Sequence, residues 1–349
     1  MNFASDNWAG ASPRIAEALT TAAGGYAPAY GADPLTREVI AALSQLFERD
    51  VSVFFVATGT AANALALAHV ARPAGVVFCH SHAHIAADEA GAPEFLTGGA
   101  RLAGIAGRNG KLTPEALRAT IERYPAEFVF HGQPMAVSIS QLTEAGTAYT
   151  PEEVASIAAV AHEAGVPLHM DGARFANAVA GLGCSPADVT WRSGVDMLSL
   201  GATKNGCFAA EAVVFFDAEM AKGFEFQRKR AGHVFSKGRF VAVQFAAWLA
   251  DDHWLELAQH SNRAARALAS GIERSGAAAL AIQPAGNEVF AYLSDEANLR
   301  LQSAGARYYD WPAEALGVAE PGEGHVLVRL VTSFRTDDAE IEQFTGLLD

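Results

Sequence analysis

The chain's clearest candidate for covalent chemistry is Lys204, which follows an apolar run and stands between Gly201 and Gly206. The glycines let the backbone turn tightly around the lysine. A lysine amine forms Schiff bases with carbonyl compounds once it loses its proton, which desolvation favours. About 30 residues earlier, another apolar run ends on Asp171, with Arg174 just beyond. Each residue alone has an ordinary interpretation, the lysine as a surface residue and the aspartate as a helix cap.

Taken together, the aspartate and the lysine suit pyridoxal 5'-phosphate. The lysine would hold the aldehyde carbon of that cofactor. A carboxylate opposite the ring nitrogen keeps the nitrogen protonated, so that the ring withdraws electrons. Sheets of α/β proteins bind ligands at the carboxyl ends of their strands, which is where both residues are expected. The pair therefore favours a pyridoxal phosphate site.

A phosphate site is indicated by Thr58, Gly59 and Thr60, which join a predicted strand to a predicted helix. The helix N-terminus offers free N–H groups and a positive dipole end, and Gly59 permits close approach of the backbone. The same residues also serve as a plain helix cap. The spacing is not that of a Walker loop, because no lysine follows a second glycine.

Three alternating histidines, His80, His82 and His84, follow the next strand. Metal binding is one interpretation, but no fourth ligand follows at a standard spacing, and alternate residues of one strand rarely reach a single ion. One histidine could instead stack on a planar cofactor ring, and the following stretch, Asp88-Glu89-Ala-Gly91-Ala92, could orient a histidine. Surface histidines in a turn are the third interpretation.

Composition excludes several classes of function. The net charge of −14 argues against binding to nucleic acid or anionic membranes. The sequence has no uncharged apolar run of about 18 residues, so no membrane span is expected. The N-terminus lacks a secretory signal, and three widely separated cysteines fit reduced thiols, so we expect a cytoplasmic protein. No metal is expected.

The elements that must position these residues alternate between short apolar strands and amphipathic helices, which predicts an α/β fold. Composition changes in the last third of the chain and predicts a smaller α+β domain. We expect a large domain over residues 1–240 and a small one over 241–349. The predicted strands of the large domain cover residues 51–56, 75–79, 127–130, 166–170, 195–200 and 212–216.

These motifs together resemble the low-specificity L-threonine aldolases, which have the fold-type I, aminotransferase-like fold of pyridoxal phosphate enzymes. Further stretches are similar to that family's N-terminal Ser-Asp signature, its Tyr-Gly-Asp-Asp-Pro motif and its arginine-bearing strand. They are Ser5-Asp6-Asn7, Tyr30-Gly31-Ala32-Asp33-Pro34 and Val328-Arg329-Leu330-Val331-Thr332. The similarity runs nearly end to end. It implies a mixed, mostly parallel seven-stranded sheet plus a smaller C-terminal α+β domain.

The resemblance also implies roles. Lys204 would bind the cofactor covalently, Asp171 would contact the pyridine nitrogen, His84 would stack on the ring, and Gly59 and Thr60 would hold the phosphate. The substrate, and above all its carboxylate, would be bound by five further residues: Ser5, Tyr30, Asp88, Arg174 and Arg329. Arg174 would also reach the cofactor. The family's homotetramers place active sites at subunit interfaces.

Two departures from the family's pattern leave roles open. Leu142-Thr143-Glu144-Ala145 stands where many members have Thr-His, so a second histidine near the substrate hydroxyl is absent. His84 or His131, directly or through water, is then expected to be the base, and weak discrimination at Cβ is expected. The loop after residue 227 also differs, and either Arg230 or Lys237 would contact the phosphate of a neighbouring subunit.

The expected activity is cleavage of β-hydroxy-α-amino acids such as L-threonine, L-allo-threonine and phenylserine to glycine and an aldehyde. Another pyridoxal phosphate reaction of the same fold, β-elimination or transamination, is the alternative, because reaction type depends on the site and not on the fold. A non-catalytic α/β binding protein is the third hypothesis. The intact lysine, aspartate and arginine speak against it.

Overall fold

The structure, a computed structural model, describes all residues from Met1 to Asp349. Its larger part is built on a seven-stranded sheet of order β1-β7-β6-β5-β4-β2-β3. Only β7 runs antiparallel to its neighbours, so the predicted mixed, mostly parallel sheet is confirmed. The strands are β1 Ser52–Val56, β2 Gly75–His80, β3 Arg101–Ile105, β4 Gln133–Ser140, β5 Leu168–Gly172, β6 Met197–Gly201 and β7 Glu211–Phe215.

Ten helices belong to this part, and five of them begin with a side chain that caps the first turn. Thr150 and Glu153 form a reciprocal capping box at the start of α7, and Asp33 caps α2 by accepting the N–H of Thr36. The helices are α1 Pro13–Ala22, α2 Pro34–Leu46, α3 Gly59–His69, α4 His84–Ala87, α5 Ala92–Leu96, α6 Pro114–Ile121, α7 Pro151–Glu163, α8 Phe175–Leu182, α9 Phe224–Arg230 and α10 Arg239–Leu249.

The C-terminal part contains an antiparallel four-stranded sheet of order β10-β11-β9-β8. Its long first helix joins the two parts, since Leu257 packs in the large core and Leu268 in the small one. The predicted division at residue 240 stays a prediction. The elements are α11 His253–Arg274, β8 Ala278–Ile282, β9 Glu288–Ser294, α12 Asp295–Ser303, β10 Tyr309–Asp310, α13 Ala313–Leu316, β11 His325–Val331 and α14 Asp338–Gly346.

One predicted strand is wrong. Residues 127–130 form a turn, and the strand follows at Gln133–Ser140. Pro134 argued against a strand there, because proline donates no ladder hydrogen bond. The structure accommodates it where the pairing of β4 with β2 shifts register between Val76 and Val77. Strand β3 was also not predicted. No helix of the chain combines the length and the apolar character needed to cross a bilayer.

Candidate active site

The candidate site lies at one edge of the large sheet. Parallel strands β1, β2, β4, β5 and β6 all end at this edge, and antiparallel β7 begins there, with Glu211 paired opposite Gly201 and Val56. The topology therefore brings together residues from six separate stretches of the chain. They are Thr58, His84, Glu144, Asp171, Lys204 and Glu211, all of which line one cavity of about 400 Å³.

A second cavity of about 470 Å³ lies between this edge and the small sheet. It is lined on the small-sheet side by Glu288, Trp311 and Arg329, and on the other side by Ser5 and Asp88. The two cavities meet, because five residues line both of them. These residues are Asn7, His84, Glu144, Arg174 and Lys204.

Lys204 stands in a short 3-10 turn, Thr203–Asn205, directly after β6. The turn is fixed from behind, since the buried side chain of Asn205 donates to the carbonyl of Trp254 at 2.7 Å and the indole of Trp248 donates to the carbonyl of Asn205 at 3.1 Å. Burial, with the nearby charge of Arg174, lowers the pKa of the Lys204 amine. A lysine with a lowered pKa is a better nucleophile near neutral pH.

Asp171, the residue before the last of β5, lines the first cavity and is buried. Its Oδ2 accepts a hydrogen bond from the side-chain amide of Asn63 at 2.7 Å, and the same amide donates to Glu89 at 2.8 Å. Glu89 in turn contacts Nδ1 of His84 at 2.9 Å. The hydrogen bond to Glu89 raises the pKa of His84 against the opposing effect of burial. One hydrogen-bonded chain thus orients the aspartate and the histidine together.

The far end of the first cavity is formed by the N-terminus of α3. Thr58 caps the helix by accepting the N–H of Ala61 at 3.1 Å, which leaves the first helical N–H groups without an intrahelical acceptor. A Cβ added at Gly59 would meet no atom within 4 Å, so the backbone faces open space. Glu211 also lines this end, and burial raises its pKa to about 7. The carboxyl therefore carries a proton for much of the time at neutral pH.

The second cavity is walled by a buried network of charges around Arg174. Its guanidinium donates to Asp6 from Nε at 2.8 Å and from Nη2 at 3.2 Å, and its Nη1 lies 3.2 Å from Glu288. Burial pushes the pKa of Asp6 upward, but the charges of Arg174 and Lys204 outweigh it and leave the pKa below its ordinary value. Burial raises the pKa of Glu288 despite both arginines.

Arg329, on β11, is the other arginine of this cavity and is less completely paired. Its Nη1 lies 4.0 Å from Glu288, its Nε has no hydrogen-bond partner, and its guanidinium carbon lies 4.1 Å from the ring centre of Trp311. The indole holds the guanidinium by a cation–π contact while leaving donors free. A planar guanidinium with free donors is suited to a carboxylate.

Glu144 stands at the junction of the two cavities. Its Oε1 accepts hydrogen bonds from the hydroxyl of Ser140 at 2.6 Å and from the backbone N–H of His84 at 2.8 Å, whereas its Oε2 is buried without a partner. Burial raises the pKa of this carboxyl to about 7, with a further increase from the charge of Asp171.

The structure does not bring every predicted site residue to these cavities. His131 precedes β4, so it lies at the opposite edge of the sheet, where its Nδ1 contacts the carbonyl of Arg123. Within one chain it cannot reach the lysine, which corrects the expectation that it serves as the base there. By contrast, Ser5, Asp88, Arg174 and Arg329 all line the second cavity.

Three other predicted residues share an exposed surface away from both cavities. The backbone N–H of Tyr30 donates to the carbonyl of Ser236, and the ring of Tyr30 lies 5.3 Å from the ammonium of Lys229. Arg230 follows Lys229 in the chain, Lys237 follows Ser236, and both are exposed. None of the three contacts the cavities of its own chain. These three residues could therefore contact only the active site of another copy of the chain.

The histidine triplet does not form a metal site in this arrangement. Both ring nitrogens of His80 are engaged, Nε2 with the carbonyl of Gly107 at 3.0 Å and Nδ1 with the backbone N–H of His82 at 3.2 Å. Only His82 and His84 line the second cavity. The triplet is therefore split between a structural residue and two residues of the site.

Sequence reasoning missed Asn63, Glu211 and Glu288 as residues of the site. Glu211 and Glu288 each open an otherwise apolar strand and are buried in the structure. A carboxylate at the end of a buried strand is rare without a partner, so this pattern was an available signal. Asn63 lies in an alanine-rich helix and had no such signal.

Comparison with known proteins identifies relatives along most of the chain. Residues 2–296 match the model of the β-eliminating lyase family. The chain is 42% identical to the low specificity L-threonine aldolase of Pseudomonas aeruginosa over 89% of this chain and 90% of that protein, and 40% identical to that of a Pseudomonas species over 99% and 96%. A solved structure of Leishmania major threonine aldolase superposes with a TM-score of 0.91 at 29% identity, covering 99% and 98% of the two chains.

Proposed function

Because this chain belongs to the β-eliminating lyase family, and within it to the low-specificity L-threonine aldolases, we propose that it cleaves L-β-hydroxy-α-amino acids to glycine and an aldehyde. L-threonine, L-allo-threonine and phenylserine are the substrates proposed. The observation that carries the proposal is the position of Lys204, which lines both cavities at once. One cavity offers a carboxylate and a helix N-terminus, and the other offers two arginines.

The residues of the first cavity fit pyridoxal 5'-phosphate. The open space at Gly59 and the free N–H groups at the start of α3, together with Thr60, suit a phosphate group. The buried carboxylate of Asp171 suits a protonated ring nitrogen, and His84 would lie against the ring. When bound through Lys204, the cofactor would supply an electron-withdrawing ring that stabilises negative charge on the α-carbon of the substrate.

In the second cavity, we assign the substrate carboxylate to Arg329 with the hydroxyl of Ser5. Arg329 keeps free donors, whereas all three nitrogens of Arg174 already face the carboxylates of Asp6 and Glu288. Arg174 then acts chiefly by its positive charge, which disfavours protonation of Lys204 and attracts an anionic substrate. A fixed carboxylate and a fixed lysine together orient the Cα–Cβ bond, and orientation contributes a large share of a rate enhancement.

We further propose a cytoplasmic homotetramer with active sites at subunit interfaces. The support is the exposed surface that carries Tyr30, Arg230 and Lys237, which would supply phosphate and substrate contacts to a neighbouring copy. Light scattering on the purified protein measures the mass. A monomeric and fully active protein would contradict this assembly.

The decisive experiment locates the cofactor and identifies the products. Borohydride reduction of protein loaded with pyridoxal phosphate, followed by peptide mapping, should place the label on Lys204, and Lys204→Ala should lose both the label and turnover. Lys222, an exposed lysine paired with Glu219, supplies the control variant Lys222→Ala. The alternative reactions are excluded by analysing products, since β-elimination and transamination yield keto acids and no glycine. Label on another lysine would refute the site.

A further inference from the structure

Cleavage of a β-hydroxy-α-amino acid requires a base, because the β-hydroxyl must lose its proton as the aldehyde forms. We propose that the carboxylate of Glu144 is this base, an inference that rests on the proposed function. The relevant observation is the position of Glu144, at the junction of the cavity that fits the cofactor and the cavity that fits the substrate. A substrate with its carboxylate on Arg329 and its amino group directed toward Lys204 would pass through this junction, because Lys204 lines both cavities and Arg329 lines the second.

The hydrogen bonds of Glu144 leave one carboxylate oxygen for a ligand. Ser140 and the backbone N–H of His84 both bind Oε1, so the side chain is fixed in one orientation. Oε2 is buried and has no protein partner. A buried oxygen without a partner is unfavourable unless a ligand satisfies it. A substrate hydroxyl at Oε2 supplies the missing hydrogen bond and sits within reach for proton transfer.

His84, the other titratable base at the junction, is less suited to the task. Its Nδ1 is occupied by Glu89, and this contact raises the pKa of the imidazole. The imidazole belongs to the hydrogen-bonded chain that runs through Glu89 and Asn63 to Asp171, where the proposed function places it against the cofactor ring. Asp88 lines only the second cavity and is exposed. Glu144 alone combines the junction position with a free, buried acceptor oxygen.

The electrostatic surroundings of Glu144 support the assignment. Burial and the charge of Asp171 raise its pKa to about 7, against the hydrogen bonds from Ser140 and His84. Cys79, Tyr149 and Arg174 are the other titratable groups close enough to interact with it. A base whose pKa lies near the working pH both accepts and returns a proton efficiently.

The proton transfer is balanced without any further reactant. The O–H proton moves to Oε2 of Glu144 while the oxygen forms the aldehyde C=O bond and the Cα–Cβ bond breaks. The electron pair of that bond stays with Cα, which takes up one proton to give glycine. One proton is lost by oxygen and one is gained by carbon, with no net oxidation or reduction.

The test compares two reactions of the cofactor-loaded enzyme. Cleavage of L-allo-threonine needs the β-hydroxyl base, whereas exchange of the α-proton of glycine with deuterated solvent, followed by NMR, needs Lys204 and the cofactor but no β-hydroxyl. We expect Glu144→Gln to lower the ratio of cleavage to exchange by about 10²–10⁴-fold, the range for removal of a general base. The rise of kcat/KM with pH around 7 should disappear in this variant.

Glu94→Gln is the matched control, because Glu94 is also a partly buried glutamate with an unpartnered Oε2 but lines neither cavity. The ratio of cleavage to exchange in Glu94→Gln should equal that of the parent. A parallel loss of both reactions in Glu144→Gln, or cleavage within about threefold of the parent, would overturn the role of Glu144. Absence of both reactions in the parent would overturn the proposed function itself. Should Glu144→Gln not fold, Glu144→Ala, which also removes the carboxyl group, takes its place, and an unchanged ratio there overturns the inference.

Discussion

Replacement of Arg174 by methionine tests the charge network of the second cavity. Methionine keeps much of the arginine's volume but removes the charge. The change leaves Asp6 and Glu288 buried, 3% and 1% exposed, without the cation that contacts both of them. Both carboxyls then lie in a poorly solvated site, with Arg329 no closer than 4.0 Å to Glu288.

The expected cost follows from this geometry. Removing one partner of a buried ion pair costs about 3–5 kcal/mol, because a buried charge is left uncompensated. For 349 residues the entropy of unfolding is roughly 0.7 kcal/mol per kelvin, so the melting temperature should fall by about 4–7 °C. In the parent, the lowered pKa of Asp6 gives stability that is present above its unfolded pKa and is lost as the pH falls through its folded pKa. The variant lacks this contribution, so the difference in melting temperature between the two proteins should narrow only as the pH falls below about 4, through the folded pKa of Asp6.

The assay is thermal unfolding of the cofactor-free protein, followed by circular dichroism at several pH values. A second variant that combines Arg174→Met with Asp6→Asn and Glu288→Gln removes the orphaned charges and should regain most of the lost melting temperature. A fall of less than about 1 °C in the single variant would refute the reasoning. So would a triple variant that is no more stable than the single one.

Three further expectations concern the cofactor and the substrate. Gly59→Ala should leave the melting temperature of the cofactor-free protein unchanged but weaken cofactor binding, measured by absorbance titration, because its Cβ meets open space in the protein and lies where the phosphate belongs. Asp171→Asn should keep the cofactor but lose most turnover, since an amide does not stabilise a protonated ring nitrogen as a carboxylate does; turnover near that of the parent would contradict this. Steady-state kinetics with the four threonine stereoisomers should show activity on the L-isomers only, with less than about 200-fold preference between them.

The sequence predicted the parts of the site that have strong local signals. Lys204 and Asp171 follow apolar runs and precede glycines, and the residues around Gly59 have the pattern of a helix start. Strand ends in a parallel sheet meet at one edge, so the encounter of these residues followed from the fold class. Arg329 was expected from the family resemblance alone, since an arginine within an apolar strand has several possible roles.

Other features depended on tertiary geometry that no local pattern contains. His131 was a plausible base by residue type, but its position before β4 instead of after it places it at the wrong edge. The predicted strand, residues 127–130, stood before His131, whereas β4 begins after it, at Gln133. Pro134 is unfavourable within a strand and so concealed this start. Asn63 and Glu89 link Asp171 to His84 by contacts between three separate segments. In the sequence, Glu144 was notable only because it stands in a loop where many family members have a histidine. The structure alone shows that its carboxyl is buried with one oxygen free of hydrogen bonds.

The charge network around Arg174 also limits when the site can form during synthesis. Asp6 accepts a hydrogen bond from Asn287, and these residues are 281 positions apart in the chain. At about 5–20 residues per second, a ribosome needs roughly 14–56 s to travel from one to the other. During that interval the carboxylate of Asp6 lacks its hydrogen bond from Asn287. The nascent chain therefore carries an unfinished pocket for most of its translation.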